Sequence, residues 1–165
     1  MLAGTRNVTI NNASQNIGDF TTLRNLTLNS NAGQRSIPPG TYGNFTANGG
    51  SGFIIGAEGA TQPSTYNLQS LTLNSGSQLQ VVGPVVLTLA SGMTLSASAG
   101  SSITPAWLRI NIASGGLTLN SASVLYGTVI APSGNITINS NGRVVGNVVS
   151  NRLTINSNGI LQIVN

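Results

Sequence analysis

Asp19 and Glu58 are the only carboxylates among the side chains of this protein, which has no histidine, no cysteine and no lysine. The commonest metal ligands, nucleophile partners and general bases are therefore missing. A glycosidase needs two carboxyls facing each other across the scissile bond. By the repeat register set out below, Asp19 and Glu58 fall about two coils apart, with Glu58 in a loop. A calcium site wants several oxygen ligands, usually with carboxylates among them. The Gly-rich segment Gly49–Gly50–Ser51–Gly52 lacks the lysine and the helix of a phosphate-binding loop and reads as a turn. No catalytic residue, no cofactor site and no metal site is assigned, and the expectation is a non-enzymatic protein.

Charge is sparse and dispersed. Six arginines against two acids give a net charge of +4 in 165 residues. Arg6, Arg24, Arg35, Arg109, Arg143 and Arg152 spread over the whole chain, with Arg143 and Arg152 expected on one face of adjacent coils. Nucleic-acid binding needs clustered phosphate contacts and interleaved aromatics, so no nucleic-acid partner is expected. The longest apolar run, Val81 to Ala90, is broken by Gly83 and Pro84 and cannot span a bilayer. The opening MLAGTRNV has no apolar leader core. The single tryptophan, Trp107, reads as an anchor for a loop. Without aromatic neighbours it makes a poor platform for sugars, which weakens a carbohydrate-binding reading.

What the chain has instead is repetition. The pattern apolar-Thr-apolar-Asn occurs as VTIN at Val8, LTLN at Leu26, FTAN at Phe45, LTLN at Leu71 and Leu117, ITIN at Ile136 and LTIN at Leu153. Weaker copies, LTLA at Leu87 and MTLS at Met93, lie between them. A step near 18 residues recurs, and such a fixed period signals a stacked architecture. Each copy alternates apolar and polar residues, as a half-buried strand does. Gly, Ser, Asn and Pro clusters between the copies mark turns. No window shows the spacing of an amphipathic helix. The reading is all-β: one β-solenoid domain over residues 1–165, of roughly nine coils with about 16–19 residues each, near 40 Å long at the usual strand spacing. Two excursion loops are expected, at about 49–66 and 97–107.

Residues two apart in a strand share a face. With Leu and Ile inward, an outward array follows: Thr27, Thr46, Thr72, Thr118, Thr137 and Thr154 in one column, and Asn29, Asn48, Asn74, Asn120, Asn139 and Asn156 in the next. High strand propensity of Thr, and the tolerance of Asn for corners and amide ladders, account for such columns structurally. The flat uncharged surface also suits ice or lateral packing. Neither end shows an amphipathic helix or a charged cap, so Val8, Ile10, Ile160 and Ile163 are expected to carry end-to-end self-association.

The phrases IPPGTYGNFTANGG, LQSLTLNSGSQLQVVGPVVLTLA and VLYGTVIAPSGNITINSNGRVVGNVVSNRLTINSNG resemble the repeat domains of secreted bacterial surface proteins of the choice-of-anchor type, and similar pilus-associated β-solenoid domains. The resemblance covers about residues 37 to 165. It implies an extracellular β-solenoid and brings no catalytic residue. The GRVVGNVVSNRLTI rhythm also resembles bactofilins, solenoids that polymerise end to end, although the low charge departs from that family. The resulting expectation is an extracellular or cell-surface structural protein that stacks head to tail into a fibre or acts as an adhesin-type module. Its partners would be further copies of itself, with other surface proteins or ice as alternatives. An ice-binding protein and a carbohydrate-binding module are the rival readings.

Overall fold

A computed structural model describes residues 3–120 and 122–165. The chain winds as a β-solenoid of about eight coils, and all of its strands join one parallel sheet of 17 strands. Among the described residues there is no α-helix, only the short turns Phe20–Thr22 and Pro105–Trp107. The strands fall on three faces. Face A holds the Thr-x-Asn strands, from Arg6–Ile10 and Leu23–Leu28 to the ends of the long strands Val124–Ile138 and Arg143–Ile155. Face B follows each sharp corner and runs from Gln34–Ser36 to Ile160–Gln162. Face C returns the chain to face A through strands such as Ser64–Leu68, Val85–Leu89 and Leu108–Ile112.

The phrase INSNG explains how a coil turns from face A to face B. Ile138 points inward and is fully buried. Asn139 starts a tight turn, closed by the Gly142 amide donating to the Asn139 carbonyl at 2.7 Å. Its third residue, Asn141, has φ 58°, a left-handed conformation that Asn tolerates. The earlier corner Asn48–Ser51 places Gly50 at φ 82° in the same role. There Ser51 is buried, and its hydroxyl donates to the Asn48 carbonyl at 2.7 Å and the Leu28 carbonyl at 3.2 Å. The buried hydroxyl thereby finds acceptors inside the rod.

The core is a single column of Leu, Ile, Val and Ala, thickened in the middle by Phe45, Phe53 and Tyr66. The rings of Phe45 and Phe53 stack with centroids 5.3 Å apart. Tyr66 is buried yet satisfied: its hydroxyl donates to the Ile37 carbonyl at 2.9 Å and accepts from the Gly56 amide at 3.0 Å. Tyr42 packs against Phe45 and donates to the Pro38 carbonyl at 2.8 Å. Burial, with the neighbouring Tyr66, pushes the Tyr42 phenol up to about 12. A phenol raised in this way holds its proton more tightly folded than unfolded. Its stabilisation is complete below the ordinary value of 10.0 and is lost as pH rises toward about 12. Melting curves in that window should fall more steeply for the native protein than for Tyr42→Phe. Equal slopes would assign the alkaline loss elsewhere.

The register corrects several expectations from the sequence. LTLA at Leu87 is not a copy of the face A strand. It lies on face C, where Leu87 pairs with Tyr66 and Ile110. The face A copy in that coil is MTLS, with Leu95 paired to Leu73 and Met93 to Leu117. Hence there are about eight coils rather than nine. The 26-residue step from Phe45 to Leu71, expected as one coil carrying an excursion, is one: the two residues are direct face A partners. Both excursions are shorter than expected, because Gly52–Ile55 and Ser98–Ala99 are face B strands. Arg143 and Arg152 stand on different faces, Arg143 on face B beside Val124 and Arg152 on face A beside Asn135.

The two ends differ. Below the second coil there is no strand on faces B and C; residues 11–22 cross the rod instead. Ile17 is buried there and Phe20 packs on the core. The Arg6 guanidinium donates to the carbonyls of Ile17 at 2.7 Å and Asp19 at 2.6 Å, and to the Thr22 hydroxyl at 3.0 Å. Arg35 reaches down to the carbonyls of Asn12 and Ala13. This is a charged cap, which the sequence reading did not find. It leaves Ile10 at 2% exposure and Val8 half-buried, so their side chains are not available for end-to-end contact. At the other end Leu153 and Ile155, which stack on the buried Ile136 and Ile138, are 39% and 46% exposed. Ile160 and Ile163 are exposed as expected, but Ile160 aligns with the outward Arg143 and so points off face B rather than along the axis.

Candidate functional site

Face A is the most regular surface of the molecule. In the parallel register Thr9 aligns with Thr27, Thr27 with Thr46 and Thr46 with Thr72. Thr94 then aligns with Thr118, Thr118 with Thr137 and Thr137 with Thr154. Leu95 opposite Leu73 joins the two halves, so the column is unbroken from the first coil to the last. It contains every Thr of the expected array, together with Thr9 and Thr94. Thr9 belonged to a motif already visible at Val8; Thr94 was hidden in the degraded copy MTLS.

The Asn column is a hydrogen-bonded ladder. The Asn29 amide donates to Asn11 at 2.7 Å, Asn48 to Asn29 at 3.0 Å and Asn74 to Asn48 at 2.8 Å. Asn120 donates to the Ser96 hydroxyl at 2.8 Å, and Asn156 to Asn139 at 3.0 Å. On the other side of the Thr column, two residues earlier in each strand, Asn25 donates to Asn7 at 2.7 Å and the Ser70 hydroxyl to Asn44 at 2.8 Å. These amides are held by one another. Among the described residues no protein group bonds the hydroxyls of the Thr column, which leaves them to whatever lies against the face. Rungs recur about every 4.8 Å along the axis, and outward residues of one strand sit about 6.7 Å apart across it. Arg152, at the last coil, is the one charged residue in these three columns.

The remaining polar groups have local duties. The Asp19 carboxylate accepts from the Thr21 hydroxyl at 2.7 Å and the Thr21 amide at 2.8 Å, bonds that hold it below the usual carboxylate range. It closes the turn of the cap. Glu58 is exposed in the excursion of a different coil. Among the described residues no three His, Cys, Asp or Glu side chains come together as a metal site. Among the described residues no helix is long and apolar enough to cross a membrane. Trp107 packs against the core, as a loop anchor does.

Apart from a one-residue bulge at Arg24, where Arg6 pairs with Leu23 and Asn7 with Asn25, the chain's insertions avoid face A. The corner from A to B is nearly constant: Ala47 to Phe53, Leu73 to Leu79, Leu119 to Leu125 and Ile138 to Val144. The run from B to C is Leu125 to Val129 in one coil, but Phe53 to Tyr66 and Ala99 to Ile110 in others. In a three-sided rod the edge between B and C lies opposite face A. The long insertions are thus absorbed on the far edge, and the Thr column keeps its register. No family model, no curated protein and no solved structure matches this chain. The class that the fold defines is therefore the β-solenoid, with one regular Thr face that carries little charge.

Proposed function

We propose that this protein is a non-enzymatic, extracellular recognition scaffold of the adhesin type that lays face A against a regularly repeating surface, ice being the surface it fits best. The observation that carries the reading is the unbroken Thr column with its hydroxyls unused by the protein, flanked by self-bonded amides. Crystalline water repeats in two dimensions on a similar scale, and a prepaid, rigid array loses little entropy on docking. A densely charged face would hold its own hydration shell, and within the Thr column and its two flanking columns the only charge is Arg152. Thermal hysteresis and ice-crystal shaping of the purified protein test the proposal. Faceted crystals with a measurable freezing gap are expected; a protein that leaves ice growth unchanged at millimolar concentration would overturn it.

Self-association is the second reading, favoured by the exposed inward residues Leu153 and Ile155. A second copy would cover these side chains. The cap over the opposite end counts against continuous head-to-tail stacking, because it closes faces B and C there.

A further inference from the structure

Face A is not uniform along its edge with face C. In the early coils the position two before each Thr is filled by Asn7, Asn25, Asn44 and Ser70. In the fifth and sixth coils it is Gly92 and Gly116. With Gly134 in the next coil these glycines floor a polar groove of about 510 Å³, whose inner wall is Thr94, Thr118 and Thr137. Packing alone accounts for the glycines: a Cβ on Gly116 would stand 1.8 Å from the Asn135 carbonyl oxygen. The groove they leave is nonetheless real, open and free of apolar side chains apart from Met93. At its far end Asn135, which also lines it, stands beside Arg152 in the parallel register. Arg152 is exposed, and among the described residues no protein group engages its guanidinium.

We infer that this groove binds an extended, β-linked glycan that carries carboxylates, a uronic-acid chain. Hydroxyl groups repeat along the wall at about the coil spacing of 4.8 Å, close to the advance of one sugar ring in such a chain. Each ring then meets one Thr hydroxyl, and backbone over the glycines lets the chain lie close. Arg152 offers a fork that matches a carboxylate in two-point geometry and selects an acidic sugar over a neutral one. This goes beyond the ice reading: it shares Thr94, Thr118 and Thr137 with the column but adds the glycine floor and Arg152, which the ice reading does not use. The two can fail separately, since one is read by hysteresis and the other by solution affinity.

Isothermal titration with β-1,4-linked hexamannuronate, with cellohexaose as the neutral counterpart, tests the inference. The native protein should bind hexamannuronate more tightly than cellohexaose, with an affinity that falls as salt rises. The triple variant Thr94→Val, Thr118→Val, Thr137→Val keeps shape and strand propensity and should bind about tenfold more weakly. Arg152→Gln should erase the preference for the acidic chain and the salt dependence. Thr9→Val, Thr27→Val, Thr46→Val, on the coils without the groove, should leave the affinity unchanged, with melting curves confirming that each variant is folded. Absence of binding to the native protein, full affinity in the groove variant, or equal affinity for the two hexasaccharides would each overturn the assignment.

Discussion

Leu117→Asp should unfold the coils around it, whereas Thr137→Ser should melt almost where the native protein does. Leu117 is 1% exposed and sits between Met93 and Ile136 in the inward column. A rod this narrow has no second layer into which a carboxylate could turn. Burying it without a partner costs on the order of 5 kcal/mol, comparable with the whole stability of a typical domain. Neutralising it by protonation still leaves a polar group without a bond. Thr137 faces outward in the same strand system, and loss of its methyl should cost within about 0.5 kcal/mol. In a solenoid each coil touches only its neighbours, so the damage should be local before it is global. Hydrogen exchange should show protection lost first in the coils from Met93 onward, while Leu23–Leu28 and its neighbours stay protected. Ile138→Asp, at 0% exposure, should behave in the same way. Similar melting shifts for the Leu117 and Thr137 variants would mean that the inner and outer faces are exchanged.

That inside-out assignment was legible because Thr-x-Asn leaves no ambiguity about which residues share a side. The coil count was harder for a physical reason. Every strand of a three-sided rod alternates, so LTLA at Leu87 carries the same local pattern as LTLN at Leu71. Only the hydrogen-bond register shows that Leu87 stacks on Tyr66 and belongs to another face. The motif MTLS looked weak because Ser96 replaces the column's Asn, yet a serine hydroxyl accepts the Asn120 amide and keeps that rung of the ladder closed. The N-terminal cap was illegible for a different reason. It is held by arginine donors bonded to backbone carbonyls, at Arg6 with Ile17 and Asp19 and at Arg35 with Asn12 and Ala13. Carbonyl acceptors are present at every residue and leave no mark in a sequence. The groove beside Thr94 and Thr118 was invisible too, since Gly92 and Gly116 read simply as turn residues.

Replacing Thr72, Thr118 and Thr154 by Tyr should abolish ice shaping and hysteresis while leaving the rod folded. These residues occupy alternating regions of the column, and each ring would stand several ångströms proud of the flanking amides. Tyr has high strand propensity and the site is outward, so stability should change little. The inward column and both ends are untouched. The same variant also decides between the two readings of function. If assembly through the open end were what the protein does, the Tyr variant would still form fibres. Ile160→Pro with Ile163→Lys would then abolish them, because proline removes the Ile160 amide that donates to the Gly142 carbonyl at 2.9 Å and lysine blocks an edge. The expected pattern is the reverse: ice activity lost in the Tyr variant and kept in the terminal one, with no long fibres from the native protein. The physical ground is the asymmetry of the ends. A non-closing fibre needs each end to complement the other, and here one end offers bare Leu153 and Ile155 while the other is covered by residues 11–22. Long uniform fibres from the native protein, lost only in the terminal variant, would overturn this ranking and return the end of the rod to the centre of its function.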